Sequence, residues 1–173
     1  EGKRIYCGKI LPDGLKKNQQ LETPIVTPTT KGEIDKPISI DDIVNEGYMK
    51  SEECNYIVEK ALELFKFGQE LASKKGLILV DTKYEFGKNK DGNIILIDEL
   101  HTCDSSRYWL KETYESRFIA DLEPQKLDKD IVRDWLKNQD DPYTEGLPIQ
   151  IPKDIIEKAY YSYKLFYETI SSV

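Results

Sequence analysis

Four ionisable residues sit where their types and spacing could do chemistry. Asp81, Lys83 and Glu85 alternate along Val80-Asp-Thr-Lys-Tyr-Glu-Phe-Gly87, and Asp98 closes the apolar run Ile94-Ile-Leu-Ile97. Side chains of an extended strand alternate between faces, so Asp81, Lys83 and Glu85 are expected on one face. The apolar runs Leu77–Val80 and Ile94–Ile97 read as two strands, and Asp91-Gly92 between them is a strong signal for a two-residue hairpin turn. That turn would pair Lys90 with Asn93, Gly87 with Leu96, and Glu85 with Asp98. Opposed residues have Cβ atoms roughly 4.5–5.5 Å apart. Two carboxylates that close repel, so a metal ion, a lysine or a shared proton must offset them. The other reading is a solvated outer face with an incidental charge clash.

Two further clusters could meet anions. His101-Thr-Cys-Asp-Ser-Ser-Arg-Tyr-Trp109 places small hydroxyl residues beside an arginine, whose fork suits phosphate or carboxylate; Asp104 or Ser105 could equally cap a short turn. Lys129 and Arg133 are spaced i, i+4 on a helical pattern, as a second anion contact or a surface charge pattern. Thr27-Pro-Thr-Thr-Lys31 is extended, because residues before proline avoid the helical region, and its hydroxyls and lysine could face phosphate or form a plain loop.

The elements that must position these groups follow from periodicity and caps. Ile5–Cys7 and Lys9–Leu11 read as short strands, and Pro12-Asp13-Gly14 as a turn. Ser39 with Asp41 and Asp42 starts a short helix. Ser51 to Lys75 is the clearest helix, with Ser51 as N-cap, Glu52 and Glu53 at the positive end of its dipole, and Gly76 at the left-handed C-terminal position. Its core stripe is Ile57, Ala61, Leu64, Phe65, Leu71 and Ala72. Leu127–Asn138 is an amphipathic helix with Asp128 as N-cap. Asn138–Pro152 is a surface loop. Lys153–Val173 closes the chain as a helix with Ile155, Ile156, Ala159, Tyr160, Tyr163, Leu165 and Phe166 on its apolar side.

At 173 residues the chain is long enough for one domain with its own core. Its net charge of −7 argues against general nucleic-acid or anionic-membrane binding. No apolar stretch approaches the roughly 20 residues of a membrane span. Cys7, Cys54 and Cys103 form no CxxC pair, and with His101 as the single histidine a zinc site or a Ser-His-Asp triad is not indicated. The expected compartment is the reducing cytoplasm. The chain opens on Glu1 without an initiator Met, which suggests part of a longer protein.

Taken in order, the motifs resemble the SAICAR synthetase (phosphoribosylaminoimidazole-succinocarboxamide synthase) family of purine biosynthesis. The segments are Cys7-Gly8 with Leu11-Pro-Asp-Gly-Leu15, Thr27–Lys31, Gly76–Gly87, Ile97–Trp109, and Leu127-Asp-Lys-Asp130 with Arg133. The chain differs at Ile34, where the family commonly has His before Asp35, and at Cys103, where it commonly has Pro.

The resemblance implies an α+β domain of the ATP-grasp type, with an antiparallel β-sheet carrying an active-site hairpin backed by α-helices. Residues 1–173 would be one domain, the C-terminal substrate and catalytic half, and the enzyme's own N-terminal ATP-covering domain should precede Glu1. It implies an ATP-dependent ligase joining the carboxylate of carboxyaminoimidazole ribonucleotide to the amine of L-aspartate through an acyl phosphate, with ATP and Mg2+. By the same resemblance Lys83, Asp81 and Asp130 are catalytic, and Glu85 and Asp98 hold magnesium. Asp104, Ser105, Ser106, Arg107, Lys129 and Arg133 bind the substrate, and Lys31 and Asp35 lie near the nucleotide with Glu85 and Asp98. Nucleic acid and membrane are not expected partners, and the 173 residues alone are expected to turn over poorly. Two alternatives stand beside this reading: a catalytically silent module binding a nucleotide or divalent metal, and an ATP-grasp ligase with a different acid or amine.

Overall fold

A computed structural model of the chain describes residues 4–139 and 150–172. They form two compact units, the first from Glu1–Lys66 and Glu85–Ile97, the second from Phe67–Tyr84 and Asp98–Val173. The described residues contain α-helices and three small antiparallel sheets of two strands each. A mixed helix and antiparallel-strand architecture was expected; a single sheet is not what forms.

In the first unit, β1 (Ile5–Tyr6) and β2 (Lys9–Ile10) pair as Ile5↔Ile10 and Tyr6↔Lys9. Their turn needs positive φ at both central residues, and Cys7 (φ 47°) and Gly8 (φ 75°) supply it. A lone bridge, Thr29↔Pro37, brackets the loop that carries Lys31 and Asp35. Helix α1 (Ile40–Asn45) starts where its cap requires: the Ser39 hydroxyl accepts from the Asp42 amide at 3.0 Å.

The hairpin that closes this unit corrects the expected register. Strands β4 (Phe86–Lys88) and β5 (Ile94–Leu96) pair as Phe86↔Leu96, Gly87↔Ile95 and Lys88↔Ile94. The ladder is slipped by one residue from a two-residue Asp91-Gly92 loop, and the Glu85 carbonyl accepts from Ile97 N at 2.9 Å, so Ile97 rather than Asp98 lies opposite Glu85. The cause is Asn89. Its side-chain oxygen accepts from Asp91 N (3.0 Å) and Asn93 N (2.9 Å), while Gly92 N donates to the Asn89 carbonyl at 3.0 Å. This is a three-residue loop, a turn over Lys90-Asp91 followed by Gly92 at φ 80°. Only Gly92 needs the left-handed region. Because strand faces alternate, the one-residue slip removes the opposed-carboxylate geometry.

Helix α2 (Ser51–Lys74) supplies residues to both units. Its N-cap position is Lys50, not Ser51: Cys54 N donates to the Lys50 carbonyl, and Glu53 reaches back to Lys50 N at 3.3 Å. Gly76, at φ 72°, ends it as expected. The buried positions are Cys54, Ala61, Gly68 and Ala72, whereas Leu71 is 42% exposed. Gly68, not Leu71, continues the stripe.

The second unit is built on β3 (Leu77–Thr82) paired with β6 (Ser106–Leu110). The two apolar runs of the sequence are therefore not partners: β3 pairs with a segment expected to be loop. Pairing runs Leu77↔Leu110, Ile78↔Trp109, Leu79↔Tyr108, then Asp81↔Arg107 and Thr82↔Ser106, with a bulge between Leu79 and Asp81. Strict alternation would put Asp81 on the face of Leu77 and Leu79, each 1% exposed. The extra residue, Val80, turns Asp81 out to solvent. Lys83 and Glu85 lie between β3 and β4, outside both strands, so Asp81, Lys83 and Glu85 do not share a strand face.

Helix α3 (Lys111–Ile119) is one that sequence reading did not find; it lacks a side-chain N-cap and stacks Tyr114 on Trp109 at 5.7 Å between ring centroids. Helix α4 (Asp130–Lys137) begins later than expected, with Lys129 rather than Asp128 at the N-cap position. Helix α5 (Lys153–Ser171) buries Ser162 and Phe166, and Phe166 meets Tyr108 at 4.5 Å between centroids. Ile156, Tyr160, Tyr163 and Leu165, expected inward, are exposed because the contact stripe runs through Ile155, Ala159, Ser162 and Phe166. Most of the Asn138–Pro152 loop falls on residues 140–149, outside the described set.

Gly68 gives a direct test of this packing. A Cβ there would lie 2.5 Å from His101 Cε1 and 2.7 Å from Leu79 Cδ2. Gly68→Ala gains about 1 kcal/mol of helix propensity but forces apart packed groups, at about 1–3 kcal/mol. We expect a net loss of stability in urea unfolding; a stabilised variant would contradict the close approach.

Candidate active site

The second unit gathers most of the candidate residues around Arg107. Its place on β6 opposite Asp81 lets Nη1 reach Asp81 Oδ2 at 2.7 Å, while Nε donates to Asp130 Oδ2 at 2.5 Å. Arg133, one turn along α4, approaches Asp130 Oδ1 at 3.6 Å. Burial pushes the Asp130 carboxyl up, but the hydrogen bond and charge of Arg107, with Lys126 and Arg133, outweigh it and hold it below the usual range. The Asp130 side chain is 10% exposed and that of Asp81 is 53% exposed. The first contact is therefore the stronger, and the second is largely screened by water.

A run of hydroxyls lies next to it. Ser106 Oγ donates to Thr82 Oγ1 at 2.8 Å and lies 3.3 Å from Ser105 Oγ; Thr102 Oγ1 donates to Glu99 and lies 3.2 Å from Ser105 Oγ. Ser106 is 2% exposed, so its hydroxyl is committed within the protein. Lys83 is exposed, and its amide donates to the Ser105 carbonyl at 3.2 Å. Lys129 Nζ stands 3.8 Å from Asp104 Oδ1. Asp98 is exposed.

The first unit holds the other candidates. Lys31 Nζ contacts Glu85 Oε1 at 2.7 Å. Lys31 also lines a cleft of about 820 Å³, with Cys7, Thr30, Lys36 and Ser39. Asp35 sits on the same loop but is not among the lining residues.

Sequence reading gave no site role to several residues of this region. Thr82 follows Asp81 on β3 and faces Ser106, which only the register reveals. Asp128 is 1% exposed and accepts two backbone N–H groups. His101, at φ 56°, is hydrogen-bonded through Nε2 to the Tyr84 hydroxyl, and its carbonyl accepts from Tyr108 Oη at 2.7 Å. A Gly at 68 inside a long helical pattern was the available signal for this packed corner.

Comparison with known proteins decides the family. A family model described as SAICAR synthetase matches residues 2–150. The chain belongs to the SAICAR synthetase family. A phosphoribosylaminoimidazole-succinocarboxamide synthase of Legionella pneumophila (strain Lens) is 49% identical over 172 residues, covering 99% of this chain and 55% of its own length. The chloroplastic enzyme of Arabidopsis thaliana is 50% identical over 99% of this chain and 42% of its own length. The chain spans about half the length of the curated relatives it matches. Among solved structures, SAICAR-synthase from Saccharomyces cerevisiae complexed with SAICAR is similar with a TM-score of 0.72 at 32% identity, over 95% of this chain and 52% of that one. A SAICAR synthetase in complex with ADP gives 0.66 at 30% identity, over 91% and 55%. No helix among the described residues is long and apolar enough to cross a membrane.

The single histidine yields a pH prediction. Burial lowers the His101 pKa, since the charged ring is disfavoured there. The unfolded chain then binds the proton more readily, so stability is full above the ordinary value of about 6.5 and falls as pH drops below it toward the folded value. We expect a lower urea midpoint at pH 5.5 than at pH 7.5 in the wild type, and a smaller difference in His101→Gln. Equal differences would contradict a half-buried, neutral His101.

Proposed function

We propose that this chain is the C-terminal, substrate and catalytic half of a SAICAR synthetase, an ATP-dependent ligase of the ATP-grasp type acting in the cytoplasm. Family membership together with the Asp81–Arg107–Asp130–Arg133 cluster carries the reading. The yeast relative's complex with SAICAR and another relative's complex with ADP support the ligand classes. The remaining half of the enzyme would cover ATP.

The reaction joins the carboxylate of carboxyaminoimidazole ribonucleotide to L-aspartate. A carboxylate oxygen attacks the γ-phosphorus of ATP and the bond to ADP breaks. The aspartate amine then attacks the acyl carbon, inorganic phosphate leaves, and the amine gives up a proton. This chain's residues would bind, orient and neutralise. Arg107, Arg133 and Lys129 supply cations, and Asp81, Asp130 and Asp104 balance them, so the cluster's own charges nearly cancel. An anionic substrate oxygen can take the solvent-exposed Asp81 position on Arg107 while Asp130 keeps Nε. Ser105 would donate to phosphate with Ser106 held behind it by Thr82, and Lys83 would meet the reacting carboxylate. Asp130, with its proton affinity lowered, serves better as a fixed counter-charge than as a base, and Asp81, on the same guanidinium, would position the reacting groups.

Magnesium fits the donor chemistry. Glu85 and Asp98 offer carboxylate oxygens, and magnesium is commonly held by one or two carboxylates beside substrate phosphates and water. No three His, Cys, Asp or Glu side chains converge among the described residues, so a nucleotide's phosphates and water would have to complete the ion's coordination. When bound, it would supply charge neutralisation on the phosphates. Lys31, paired with Glu85, and Asp35 would stand on the nucleotide side.

Phosphate release from ATP tests the reading, in the full-length enzyme containing this chain. Release should require both carboxyaminoimidazole ribonucleotide and L-aspartate. Glu85→Gln and Asp98→Asn should each lose more than about 100-fold in kcat while remaining folded. The 173 residues alone should turn over far more slowly. Release with another amine, or none with any, would overturn the assignment.

A further inference from the structure

Asp128 belongs to no step above, yet it is the most deeply buried carboxylate among the described residues, 1% exposed. Its neighbours explain why a charge sits there. Residues 125–127 run antiparallel beside β6: Leu110 N donates to the Gln125 carbonyl at 3.0 Å, Trp109 bridges Lys126, and Leu127 N donates to the Tyr108 carbonyl at 2.8 Å. The backbone then leaves β6 to start α4. The Tyr108 N–H is taken at that point by Asp128 Oδ2, at 3.0 Å. The other oxygen, Oδ1, accepts from Asp130 N, the first residue of α4, at 2.9 Å. One carboxylate thus closes the end of the backbone ladder and starts the helix.

Arg107 and Tyr108 are adjacent on β6, and Asp128 and Asp130 are two apart at the start of α4. Tyr108 is tied to Asp128 through its main chain, and Arg107 to Asp130 through its side chain. Two parallel ties between the same two elements fix the distance and rotation of α4's first turn, where a single ion pair would leave the helix free to pivot. We propose that Asp128 is a positioning residue that sets the Arg107–Asp130 pair, and with it Lys129 and Arg133, in register for a phosphorylated, carboxylate-bearing substrate. The kinetic part rests on the function proposed above; the structural part does not.

The substitution is Asp128→Asn in the full-length enzyme, with Asp128→Ser as a second variant should the first fail to fold, and urea unfolding to establish that the tested variant is folded. Asp134→Asn is the control: it lies on α4 and its carboxylate pairs with Lys126 rather than with a residue of β6. A merely destabilised enzyme loses active molecules and so apparent kcat, leaving KM unchanged. A misplaced cation cluster instead raises KM for the ribonucleotide, by about 10- to 100-fold, with KM for ATP unchanged. That split is expected for the Asp128 variant and not for Asp134→Asn. The placement of Arg107 is read separately from the 15N–1H signal of its Nε–H, assigned by its loss in Arg107→Lys; it should shift or broaden in Asp128→Asn and stay in place in Asp134→Asn. An unmoved Arg107 signal, or an unchanged ribonucleotide KM in an active enzyme, would overturn the proposal. A wild-type enzyme inactive with ribonucleotide and L-aspartate would overturn the functional reading alone, and the Arg107 signal would still decide the role of Asp128.

Discussion

The guanidinium of Arg107, held between Asp81 and Asp130, is the interaction on which the second unit's chemistry depends. It joins a strand, a neighbouring strand and a helix through one side chain, and its two bonds are unequal. The Asp130 bond lies in a largely buried setting, where removing one partner strands a charge and is costly. The Asp81 bond is open to water, where exchange for another anion costs little. Under the proposed function, exchange of one anion for another on Arg107 gains from that asymmetry. The fixed bond keeps the arginine aimed, and the labile one gives way.

Several features of the fold serve to keep this arrangement. The bulge at Val80 takes Asp81 off the core face defined by Leu77 and Leu79 and brings it to Arg107. Asp128 pins the start of α4 to β6, so Asp130 meets the arginine's Nε. Tyr108, next in sequence, turns inward to Phe166 and anchors β6 in the core. Alternation along one short strand thus gives Arg107 to the site and Tyr108 to the interior.

How much of this could be read from sequence divides along physical lines. Signals carried by a few adjacent residues were legible: the Ser39 cap, the long amphipathic α2, Gly76 at its end, and the ordered motifs that point to the family. Signals that depend on which distant segments pair were not. The run at Leu77 looked like a partner for the run at Ile94, because both are apolar and a turn lies between them. β3 instead pairs with β6, whose Ser106 and Arg107 look like loop chemistry in isolation. The hairpin register turned on the Asn89 side chain, which outcompetes a two-residue turn by satisfying two amides at once. Asp128 was legible as a capping residue by type, but its tie to Tyr108 requires knowing that residues 125–127 lie along β6. At the candidate site, the residue types were visible and their pairings were not.

A double-mutant cycle on Arg107→Gln and Asp130→Asn, read by urea unfolding, tests the central interaction most directly. The two single changes should each destabilise the chain, and the double variant should lose less than their sum, with a coupling of about 1–3 kcal/mol. Additive losses would mean that the two side chains do not hold one another, and the site would need a different anchor.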